Sequence, residues 1–165
     1  MTAGRRMLIR GSLLGVASAL ALAVAAAAGV ASGSYTGSTS QVGSSAGHVR
    51  FSVTKNKKTV HGFSGLVFAT CKNGANTTNA DITLDPTADI SIKKQAFGFH
   101  GNFNIENGTV VIAKKVDGKI SGKFGAHNEA TGTMSFKWKF DSSAPAQLKG
   151  SSCDTGTVKF TAKPK

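Results

Sequence analysis

Acidic residues are scarce in this chain. Six aspartates and two glutamates face sixteen lysines and four arginines, for a net charge of +12 at neutral pH. With Glu106 and Glu129 the only glutamates, no pair of carboxylates stands out for general acid–base work on a glycosidic bond. Arginine is scarcer still: three of the four fall in the first ten residues, leaving Arg50 alone. Sequence-specific reading of nucleic acid relies on arginine forks and exposed stacking aromatics, so that class is disfavoured. There are two cysteines and no Cys-x-x-Cys, which disfavours a reactive thiol pair. The four histidines, His48, His61, His100 and His127, show no ligand spacing such as His-x-His. No Gly-x-Ser-x-Gly elbow, phosphate-cradling glycine loop or His-Glu-x-x-His occurs. Asp81, Asp85 and Asp89 recur every fourth residue, but Pro86 opposes a helix there, and the alternating acids and central glycine of a calcium loop are missing. The expectation is no cofactor, no metal and no catalytic residue.

One long apolar run is present, and it is N-terminal. Arg5, Arg6 and Arg10 precede 21 uncharged residues from Gly11 to Ala31, rich in Ala, Leu and Val and ending in small residues. This is the layout of an export signal, with a cut expected near Ala28 or Ala31. The Arg5-Arg6-Met7-Leu8-Ile9-Arg10 stretch resembles a twin-arginine export signal, departing from it at Gly4, so the ordinary secretory route stays open. The same 21 residues are long enough to span a bilayer, which leaves a membrane-anchored form as the alternative. Residues 32–47 are almost all Gly, Ser and Thr and are expected to form a flexible linker. The domains expected are therefore 1–31, an export signal; 32–47, a linker; and 48–165, one folded domain of secreted or extracellular location.

Past residue 48 the apolar residues keep a period of two, the mark of strands with one buried face. Val49, Phe51 and Val53 alternate with Arg50, Ser52 and Thr54; Met134, Phe136, Trp138 and Phe140 alternate with Ser135, Lys137 and Lys139. Phe97, Phe99, Phe103 and Ile105 share odd positions, and Val158, Phe160 and Ala162 share even ones. No segment there carries a helical period. Asn107-Gly108 and Asp117-Gly118 are expected as tight hairpin turns. The prediction is an all-β fold of eight or nine antiparallel strands. A jelly-roll-like or Ig-like β-sandwich comes first and a flattened β-barrel second.

Cys71 ends a long predicted strand and Cys153 just precedes the last one. In an exported chain they are expected to be bridged. The bridge closes a loop of about 82 residues, and the chain-entropy model gives such a loop roughly 4–5 kcal/mol.

The ending Cys153-Asp-Thr-Gly-Thr-Val-Lys-Phe-Thr-Ala-Lys and the segment Ile120-Ser-Gly-Lys-Phe with Ala130-Thr-Gly-Thr-Met resemble small exported β-rich proteins of actinobacterial type, most without an assigned function. The resemblance implies export, a β fold and the staple, and transfers no active-site residue. Without the signal's three arginines the surplus is +9, nearly all lysine. Such a charge favours acidic envelope polymers or anionic membrane surfaces. Lys114, Lys115, Lys137 and Lys139 are the candidate basic patch. The expected function is a non-catalytic binding or structural module at the envelope or outside the cell. A secreted hydrolase acting on polysaccharide is the alternative.

Overall fold

In a computed structural model of the protein, the described residues are 29–41 and 47–165. The expected export signal up to residue 28, and residues 42–46 of the expected linker, lie outside them. The described chain is all β: β1 Gly33–Thr39, β2 His48–Val53, β3 Thr59–Asn73, β4 Asn76–Leu84, β5 Ile90–Lys93, β6 Ala96–Asn107, β7 Val110–Phe124, β8 Ala130–Lys139, β9 Ser152–Asp154 and β10 Val158–Pro164, with one 3-10 turn at Ala126–Asn128. Among the described residues no helix is long and apolar enough to cross a membrane.

All pairings are antiparallel, as the alternating sequence predicts. They run β1–β2–β3–β5–β6–β7–β8–β10 and return from β10 to β1, so eight strands form a ring. The short β9 bridges the ring a second time, pairing with β3 on one side and β8 on the other. β4 pairs with the outer half of β3. The inward faces carry the apolar residues. Toward one end Tyr35, Phe51, Phe63, Phe97, Phe124 and Phe160 form a ring-on-ring cluster with centroids 4.9 to 6.5 Å apart. A second group holds Phe136 against Phe103, and Trp138 against Phe140. Each of these side chains that is fully buried contributes roughly 1.5–3 kcal/mol of transfer free energy.

Three expectations need correction. Residues 32–47 are not simply a linker, since seven of them form β1 between β2 and β10. The folded domain therefore begins before His48. The period of two is hidden there because its inward positions are Tyr35 and Gly37. Asp117-Gly118 is not a turn, and residues 110–124 form one strand. Asp117 pairs with Asn102 and Lys137, and Gly118 with Gly101 and Phe136. A Cβ on Gly118 would lie 2.8 Å from the Phe103 ring, so this glycine makes room for an aromatic. Asn107-Gly108 is the turn expected, with Gly108 at φ 63°. Finally, Phe99 and Phe103 face inward but stay half-buried. β5 pairs with β6 only at Phe97 and Ala96, and beyond those residues the second edge of β6 pairs with no strand among the described residues.

Candidate functional site: a lysine-flanked trough

Cys71 and Cys153 are directly opposed, with Cα atoms 4.0 Å apart, and are joined by a disulfide. Both are buried. A bridged pair of this kind persists in an oxidising compartment. Trp138 is paired with Cys153 from the other side, so the bridge fixes β9 and β3 next to the C-terminal end of β8.

The lysines lie on the outward face of the same strands, because each is one residue away from an inward apolar position. The register arranges them in rows across β7, β8 and their neighbours. Asp117, Lys137 and Asp154 form one row. Ser121, Thr133 and Lys159 form another, and Lys123, Thr131 and Thr161 the next.

The expected patch residues are all exposed. Lys114 and Lys115 point out together because β7 bulges there: Ala113 and Val116 are both fully buried, and Lys115 takes φ 53°. Lys137, however, is partnered. Its Nζ lies 3.2 Å from the Asp154 carboxylate, with Asp117 in the row on its other side. The patch is therefore partly neutralised at its centre.

A second basic group sits at the other end of the face. A cavity of about 550 Å³ is lined by Ala96, Ser121, Gly122, Lys123, Thr131, Gly132, Thr133, Lys159, Phe160 and Thr161. It is open to solvent. Lys123 and Lys159 flank four hydroxyl groups, and no carboxylate is in the lining. Glu129 lies just beyond and is engaged by Lys163 at 3.8 Å. Beneath the trough Gly122 and Gly132 are paired face to face. A Cβ on Gly122 would sit 2.3 Å from the Phe97 ring, and one on Gly132 2.6 Å from the Phe160 ring. Two adjacent glycines thus let buried rings press against the wall from inside. On the outside, the outward-facing residues on either side of them supply the hydroxyl groups of the floor. Such a surface can donate hydrogen bonds from Ser and Thr and offer two ammonium groups to a chain of anions. Lys123 and Lys159 were absent from the expected patch because only the β7–β8–β10 register brings them to one place.

The histidines do not converge. His61 Nδ1 lies 2.5 Å from Asp89, and His100 Nε2 lies 3.5 Å from Asp117, both pairs well exposed. Among the described residues no group of three or more His, Cys, Asp or Glu side chains could hold a metal ion. A separate cavity of about 310 Å³ is lined by Thr83, Asp85, Thr87, Phe103, Asn104, Ile105 and Glu106, so Asp85 and Glu106 share one space while Asp81 and Asp89 do not line it. Comparison with protein families, with curated proteins and with solved structures found no match.

Proposed function

We propose that the protein is an exported, non-catalytic binding module that acts at or outside the cell envelope, with the Lys123–Lys159 trough as its contact for acidic envelope polymers. The observation that carries this is the lining itself: two lysines and four hydroxyls, with no carboxylate to compete. The basic n-region and apolar run of residues 5–31 support export, as does the buried disulfide. Lysine is a compact, hydrated charge on a flexible stem, suited to repeated anionic groups and less to a single shaped ligand. Contacts of this kind are screened over about 8 Å at physiological salt, so binding is weak and salt-sensitive.

The test is retention on acidic polysaccharide, anionic vesicles and DNA across a salt series. Polysaccharide retention is expected to fall steeply with salt. Exposed ion pairs contribute up to about 1 kcal/mol each, so Lys123→Ala and Lys159→Ala should each weaken it about three- to fivefold at low salt. Lys137→Ala should do less. Equal effects from all lysines would reduce the reading to net charge, and preference for vesicles would move the partner to a membrane surface.

A second reading, a secreted hydrolase, draws on the Asp85–Glu106 cavity, since glycoside hydrolysis uses two carboxylates. Polysaccharide cleavage lost in Asp85→Asn and Glu106→Gln would support it. The lining holds no histidine, and its Thr83 and Thr87 hydroxyls have no base beside them other than those carboxylates.

A further inference from the structure

Two stretches of small residues precede the first strand, Ala26-Ala27-Ala28 and Gly29-Val30-Ala31, and sequence alone allows a signal peptidase to cut after either. The fold distinguishes them. Val30 packs against the hydrophobic core. The Ala31 carbonyl accepts a hydrogen bond of 3.1 Å from the Tyr35 hydroxyl. Tyr35 is buried and stacks on Phe51 at 4.9 Å. A cut after Ala31 would carry Val30 out of the core and remove the acceptor of the Tyr35 hydroxyl. A cut after Ala28 retains both contacts. It also places alanine both at the cut and two residues before it, where small side chains are required.

We propose that the Ala28–Gly29 peptide bond is the processing site and that Gly29 is the first residue of the mature protein. The step is hydrolysis by a signal peptidase: water adds across the amide, leaving a carboxylate on Ala28 and a free amine on Gly29. Residues 29–31 are then a structural part of the domain. This inference rests on the export reading, and the experiment separates the two.

The full 165-residue chain is expressed in an export-competent bacterial host, and the released protein is measured by intact mass. The expected species begins at Gly29. Ala28→Phe should leave uncut precursor with the membrane fraction, whereas Ala31→Leu should not move the cut. In the secreted protein Tyr35→Phe should lower the melting temperature by about 2–6 °C, because a hydrogen bond with a retained Ala31 is lost. A released chain beginning at Ser32, or a Tyr35→Phe protein melting as high as the parent, would overturn the assignment and leave export intact. An uncut chain held in the cytoplasm would overturn both.

Discussion

The side-chain amide of Gln41 pairs with the backbone of Phe68 as a strand would. Gln41 Nε2 donates to the Phe68 carbonyl at 2.7 Å, and the Phe68 amide donates to Gln41 Oε1 at 2.8 Å. On this edge of β3, β2 pairs as far as Gly65 and β9 begins at Thr70. One side chain fills the interval. Gln41→Ala should cost about 1 kcal/mol, since water can replace bonds this exposed. It should also raise hydrogen exchange at the Phe68 amide. Unfolding by urea and amide exchange measure the two effects, and unchanged exchange at Phe68 would contradict the pairing.

Gly37 tests whether β1 belongs to the domain. A Cβ there would lie 1.8 Å from the Thr161 carbonyl oxygen and 2.5 Å from the Ala162 Cα, both backbone and unable to rotate away. Gly37→Ala should therefore destabilise by more than the 1–3 kcal/mol typical of overpacking, or detach β1. Gly74 is a control for chain stiffness: nothing lies within 4 Å of its Cβ direction, but its φ of 60° makes alanine modestly costly there too. If Gly37→Ala costs no more than Gly74→Ala, the β1–β10 contact is looser than described.

Trp138 is buried, and its Nε1 has no hydrogen-bond partner among the described residues. Trp138→Ala should cost about 3–5 kcal/mol, as for a large core aromatic. Trp138→Phe deletes the unpaired donor together with part of the ring, so it should cost far less than the alanine change. Chemical denaturation of both variants decides this. Equal losses would mean that the indole N–H contributes through a partner.

Burial pushes the Tyr35 hydroxyl above its ordinary pKa of about 10, against a smaller opposing effect of its bond to Ala31. The unfolded phenol ionises first. Stability linked to Tyr35 is thus full below pH 10 and is lost as pH rises from there through the higher folded value. Stability measured between pH 8 and 11 should fall more steeply for the parent than for Tyr35→Phe. Parallel profiles would contradict the linkage.

Much of the fold was legible because alternation is a direct record of one wet and one dry face. Phe51, Phe136, Trp138, Phe140 and Phe160 are buried, and Lys137, Lys139, Lys159 and Lys163 exposed, as the period of two dictates. The bridge between Cys71 and Cys153 followed from compartment and strand placement. β1 was hidden because its inward side is one tyrosine and a glycine, which periodicity cannot distinguish from a linker. Asp117-Gly118 was misleading because one dipeptide can make a turn or make room for a ring, and only the position of Phe103 decides which. The trough was out of reach for a third reason. Lys123, Thr131 and Thr161 are neighbours by cross-strand register, a relation the linear order does not encode.

The pairing of β1 with β10 has a consequence for how the chain is made. Tyr35 lies opposite Pro164, and the Lys165 amide donates to the Ser34 carbonyl at 2.9 Å. The first described strand to leave the ribosome is therefore completed only by the last. Until the final residues emerge, β1 and the first half of β8 each lack a neighbour and present open edges. Ring closure joins positions at opposite ends of the sequence. It should make folding slow and post-translational, with those edges open to other chains until the last residues are in place.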